Sequence, residues 1–158
     1  MISPLRLLFI ACLSSLLIAC VSPGKLPIED DSFVESANKF SAWQLENSRE
    51  YEAINVLLFE VDDLIETNAL DAAEDKLERV LRVKSSYAPA WSRMSWLALE
   101  VNSPKRAVQM AKRSNSFARG NRQLQSLNWS FIRDASQMLN DDEAYQRAGQ
   151  KIDSLQAF

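Results

Sequence analysis

Histidine is missing from all 158 residues, glycine occurs only three times and cysteine twice. Without histidine the chain lacks the commonest general base and the commonest nitrogen ligand for a metal. The glycines, Gly24, Gly120 and Gly149, stand alone, so no glycine-rich loop can cradle a phosphate. A calcium loop needs a dense ladder of oxygens around a central glycine, and none is present. Carboxylate doublets do occur, as in Asp62-Asp63, Glu74-Asp75 and Asp141-Asp142-Glu143. Neighbours on a helix point in different directions, so these doublets do not form an acid/base couple. The last run fits a helix start, where negative charge is favoured by the helix dipole. No catalytic residue, metal site or cofactor is expected, and the chain reads as a non-enzyme.

Long apolar runs are also missing. The one candidate, Leu7 to Leu17, follows Arg6 and is interrupted by Ser14 and Ser15. At 11 residues it falls short of the roughly 20 that span a bilayer and fits a cleavable export signal. The alternative is a membrane anchor that happens to contain cysteines. The run ends in Leu17-Ile18-Ala19-Cys20, which resembles a bacterial lipobox. That resemblance implies cleavage before Cys20 and a lipid on its sulfur, with 1–19 as signal peptide and 20–31 as lipidated tether. Cys12 would leave with the leader, so no disulfide could form despite an oxidising compartment. Several acyl chains give stable attachment. Val21, rather than an aspartate, follows the cysteine, which in the lipoproteins it resembles implies delivery to the outer membrane, facing the periplasm.

What remains is one small domain. Scarce glycine and plentiful Ala, Leu, Glu, Arg and Gln point to an all-α fold. Pro23, Gly24 and Pro27 with Glu29-Asp30-Asp31 mark a solvated linker. Ser32 and Glu35 match a capping box, predicting a short cap helix to about Leu45 within a linker region 32–50. From there the apolar spacing is helical. Ile54, Leu57, Leu58, Val61, Leu64 and Ile65 share one face; after Asn68-Ala69, so do Ala73, Leu77, Val80 and Leu81. Pro89 opens a third helix with Trp91, Met94, Leu97, Ala98 and Val101 inward. Ser103 caps a fourth beginning at Pro104, with Ala107, Val108 and Ala111 inward. Leu124, Leu127, Phe131, Ile132, Ala135 and Met138 mark a fifth. After Asn140-Asp141-Asp142, a sixth carries Tyr145, Ala148, Ile152 and Leu155.

These six helices pair. Leu57 lies 34 residues before Trp91, and Trp91 recurs as Trp129 after 38. A period near 34 built from helix pairs is the tetratricopeptide spacing. The stretch from Leu70 through Ala73 and Leu77 to Leu81 closely resembles the second helix of such a repeat, and Trp91 stands where the family has a large aromatic. The resemblance covers 51–156 and implies a TPR-like helix-pair solenoid of about three repeats. Ser95 fills the family's small first-helix position, but Val61 and Arg133 stand there in the neighbouring repeats, and Ser85 replaces the usual proline. The alternative is an ordinary helical bundle.

Charge is unevenly placed. Residues 29–75 hold fourteen acids against Lys39 and Arg49, whereas 76–133 hold twelve bases against Glu78 and Glu100. Either adjacent helices compensate one another, or two lobes of opposite potential steer a bipolar partner. Nucleic acid is a poor candidate, because the acidic lobe would repel phosphate. Candidate partner contacts are Arg82, Arg93, Trp96, Arg106 and Arg113. Trp96 faces away from the inward seam, either into an open groove or beneath Phe40 or Trp43.

The run Arg113-Ser114-Asn115-Ser116-Phe117-Ala118, with Asn121-Arg122-Gln123-Leu124-Gln125 and Asn128-Trp129, resembles small tetratricopeptide outer-membrane lipoproteins of the LpoP kind. That resemblance implies a protein-binding adaptor that activates a class A penicillin-binding protein, the peptidoglycan synthase of the inner membrane. A tether over 21–50 averages about 30 Å and reaches about 100 Å when extended, so the synthase would have to extend most of the way. The other open reading is a scaffold or chaperone-like module of outer-membrane or pilus assembly that binds extended peptides.

Overall fold

The computed structural model describes Trp43 and residues 49–157. Cys20, its tether and the expected helix from Ser32 lie outside the described residues, apart from Trp43. After a single 3-10 turn at Arg49–Tyr51 come six α-helices: α1 (Glu52–Glu66), α2 (Leu70–Val83), α3 (Ala88–Glu100), α4 (Pro104–Phe117), α5 (Arg122–Met138) and α6 (Asp142–Gln156). No strand occurs among the described residues. The pairs α1/α2, α3/α4 and α5/α6 pack as hairpins, joined by α2 against α3, α4 against α5 and α3 against α5. The architecture is compatible with a helical-repeat solenoid.

One turn chemistry closes every hairpin. Asn68, Asn102 and Asn140 adopt left-handed φ values of 57°, 54° and 54°. In each case the asparagine N–H returns to the carbonyl three residues back (Ile65, Leu99, Gln137). The N–H of the following residue reaches back five, from Ala69 to Leu64, Ser103 to Ala98 and Asp141 to Ser136. This is the Schellman closure, with asparagine in the place glycine most often takes. The turns between hairpins are likewise matched: Lys84 and Tyr87 N–H bond Val80 and Lys84, and Ala118 and Asn121 N–H bond Ser114 and Ala118. Those matched positions are 34 residues apart, whereas Asn140 lies 38 after Asn102. The four extra residues therefore fall inside α5, which has 17 residues against 13 in α3.

Packing follows the helical stripes at the outer hairpins. Ile54, Leu58, Val61 and Ile65 are buried on α1, Ala73, Leu77 and Val80 on α2, and Ala148 and Ile152 on α6. The central helix α3 differs, burying Ala88, Ala90, Ser92, Arg93, Met94, Ser95, Leu97 and Ala98. It is enclosed by α2, α4, α5 and Trp43, so its buried surface runs most of the way round. Val101 and Met138, expected inward, are 44% and 42% exposed, because each sits in the last turn beside a left-handed asparagine. Small residues bring α3 and α4 together: Ser95 Oγ donates to the Ala107 carbonyl at 2.8 Å, and Ser114 Oγ to that of Ala88 at 2.8 Å. Ser103 stands at the α4 N-cap as expected, but its side chain makes no cap bond. Asn121 and Asp141 do cap, each accepting from the backbone N–H three residues on at 2.9 Å.

Candidate interaction surfaces

Three cross-helix ion pairs compensate part of the charge asymmetry. Lys76 on α2 pairs with Glu60 on α1 within the first hairpin. Two arginines of the second hairpin reach back to the first. Arg93 Nε and Nη2 donate to Asp62 Oδ1 and Oδ2, both at 2.9 Å. Arg106 grips Glu74 in the same two-pronged manner, its Nη1 donating to Oε2 at 3.0 Å. Planar guanidinium matches carboxylate geometry, which makes these contacts orienting as well as attractive. The hydrogen bond to Glu74 raises the Arg106 pKa above its ordinary value, so its charge is fixed across the working range. The hydrogen bond from Lys76, then its charge, lowers the Glu60 carboxyl pKa below 4.5. Compensation, one of the two readings of the charge pattern, is thus realised at the first hairpin and at its seam with the second.

The five candidate contacts fall into three settings. Arg93 is 1% exposed and Arg106 half-buried; both are engaged by the first hairpin's acids. Trp96 is half-buried with its ring edge-on to Trp43, centroids 6.3 Å apart. Arg82 and Arg113 are exposed. Arg82 pairs with Glu78, 3.7 Å away on its own helix, and the Arg113 guanidinium lies 5.5 Å from the Trp91 ring and 5.1 Å from Phe117. The structure does not gather these five residues into one patch.

Trp43 explains the setting of Arg93 and Trp96. It is 1% exposed, donates Nε1–H to Ser92 Oγ at 2.9 Å and lies 4.6 Å from the Arg93 guanidinium across its ring face. A tryptophan with its N–H satisfied and its face under a desolvated cation is held on several sides. Of the two readings of Trp96, burial beneath Trp43 is the one found.

The seam between the second and third hairpins carries no ion pair among the described residues. A neutral chain holds it: Asn128 Nδ2 donates to Ser114 Oγ at 2.8 Å and to Asn115 Oδ1 at 2.9 Å, and Ser114 in turn donates to Ala88. Ser114 and Asn128 are fully buried. The spacing of apolar residues passed over Asn128 because it is polar, yet it sits four residues after Leu124, on the inward stripe.

Beside this seam lies an open groove of about 780 Å³. Its floor is α5, with Trp129, Ile132, Ser136 and Leu139; α4 and α6 form the walls. Lys105 and Lys112 project from one wall and Arg147 and Lys151 from the other, against the single acid Asp141. Among the described residues, no group of three or more acidic, histidine or cysteine side chains is placed to hold a metal ion. No spacing in the sequence singles out this groove, because its residues come from three helices and which lysines lack an acid is settled only by packing. Comparison with known protein families, curated proteins and solved structures finds no match.

Proposed function

We propose that this protein is a lipid-anchored, periplasm-facing adaptor that docks a protein partner on a tetratricopeptide-like platform and activates a class A peptidoglycan synthase. The recurring hairpin closure at Asn68, Asn102 and Asn140 supports the repeat reading, and Leu17-Ile18-Ala19-Cys20 supports the anchor. The observation that carries the adaptor reading is the contrast between the two seams. The first consumes its charges internally through Asp62–Arg93 and Glu74–Arg106. The second leaves an apolar-floored groove lined with lysines that have no acidic partner among the described residues. Bidentate pairs and a buried polar chain hold the hairpins in fixed relation, and a preorganised surface binds without a large ordering cost. The lipid on Cys20 would hold this surface at the outer membrane, and the synthase would perform the glycan chemistry.

The test is affinity capture of the full lipidated protein from cross-linked cells, with Cys20→Ala as control. A class A synthase enriched with the wild type and depleted in the control is the expected result. Recovery of assembly machinery or mixed precursor peptides without a synthase would overturn the activator reading in favour of a scaffold or chaperone.

A further inference from the structure

We infer that the groove between α4 and α6 is the docking site for an acidic, extended segment of the partner protein, read by basic side chains on both walls over an apolar floor. This deepens the adaptor reading and rests on it. Lys105, Lys112 and Lys151 form no ion pair among the described residues, and Arg147 is shared only with Glu143 on its own helix. The acid in the groove, Asp141, is already committed to capping α6 through the Ala144 N–H. Unspent positive charge therefore dominates, and a segment bearing carboxylates is its electrostatic complement.

The walls set a spacing. Lys105 and Lys112 are seven residues apart on α4, a rise of about 10.5 Å at 1.5 Å per residue. An extended chain advances about 3.3 Å per residue with successive side chains on opposite sides, so carboxylates at positions i and i+3 lie about 10 Å apart along the chain and face opposite walls, one toward Lys105 and the other toward Lys151 at the Lys112 end. The hairpin connections run α5 antiparallel to both walls, which places Lys112 and Lys151 at the Trp129 end and Lys105 at the Leu139 end. An aromatic or leucine side chain next to the second carboxylate would then rest on Trp129 and Ile132. A volume of about 780 Å³ is within the range of sites that enclose a ligand. The apolar floor gives a polyphosphate nothing to pair with, which disfavours that class of ligand. None of the groove's residues cradles Trp43, so both surfaces can be filled at once.

The probe is a fluorescein-labelled peptide, Ser-Gly-Asp-Ala-Leu-Glu-Phe-Gly-Ser, titrated with the full chain and followed by polarisation. A control peptide carries lysine in place of both acids. Expected are saturable binding of the acidic peptide, at least tenfold weaker binding of the control, and a loss of at least tenfold on K112E/K151E. Those lysines are exposed, and a circular-dichroism melt checks that the variant folds. Equal binding of both peptides, or a change under twofold on charge reversal, would overturn the proposal. So would peptide binding that emerges only after Glu29, Asp30 and Asp31 are neutralised, which would make the chain's own tether the occupant. Groove-dependent dimerisation in sedimentation, or K112E/K151E-sensitive binding to phosphatidylglycerol vesicles in place of peptide, would overturn it as well. If cellular capture of the synthase succeeds and is unchanged by K112E/K151E, the groove assignment fails while the adaptor reading stands.

Discussion

Replacing Asp62 with asparagine removes half of a charge pair whose arginine is 1% exposed. Arg93 makes two 2.9 Å bonds to the Asp62 carboxylate, and its other contacts are the Pro89 carbonyl and the face of Trp43. The isosteric amide keeps the shape but offers a single neutral acceptor, leaving a buried cation without its counter-charge. Breaking a buried pair in this way costs about 3–5 kcal/mol. With a urea m-value of about 2 kcal/mol/M for a domain of this size, the midpoint should fall by about 1.5–2.5 M. The assay is urea unfolding followed by far-ultraviolet circular dichroism. The double variant Asp62→Leu with Arg93→Met should recover most of the loss, because removing both charges also removes their desolvation cost. A midpoint lowered by under about 0.5 M for Asp62→Asn would refute the reasoning. It would mean that Arg93 is solvated and the pair behaves like an exposed one, worth about 0–1 kcal/mol.

Three further outcomes follow from particular residues. Asn102→Ala should destabilise by about 1–2 kcal/mol, since a left-handed φ crowds an ordinary Cβ, while Asn102→Gly should be near neutral; thermal melts of the pair separate backbone strain from side-chain loss. Ser114→Ala should cost about 1–3 kcal/mol by leaving one N–H of the buried Asn128 amide without its acceptor and removing the hydroxyl bond to the Ala88 carbonyl, and hydrogen exchange should quicken in α4 and α5 before α1. The Glu60 carboxyl pKa is lowered in the fold, so the stability it contributes is present above the ordinary value of 4.5 and is lost as pH falls through the lower folded value. Melts between pH 3 and 6 should therefore show a smaller acid-side decline for Lys76→Met than for the wild type.

Helix positions were readable from the sequence because apolar residues recur at the helical period on α1, α2, α4 and α6, each buried mainly on one side. The reading weakened at α3, where Ser92, Arg93 and Ser95 are interior and polarity no longer marks the solvent face. Arg93 and Arg106 drew attention as cations, and their partners lie 31 and 32 residues earlier, close to one repeat. A search for opposite charges at that spacing would have turned two surface candidates into seam contacts. Asn68 and Asn140 were visible as breaks, but their shared geometry with Asn102 emerges only from backbone angles. Trp43 lies in the stretch read as a cap helix and as a candidate cover for Trp96, but its contacts with Ser92 and Arg93 are visible only in the fold. The groove was invisible to periodicity because it depends on which cations find acids, a property of tertiary packing.

The adaptor account is tested most directly by reconstituting glycan polymerisation with a purified class A synthase from the same cell envelope, with and without this protein. The account predicts faster polymerisation on adding the wild-type chain and a reduced effect with K112E/K151E. An unchanged rate at a saturating concentration of the folded protein would contradict it.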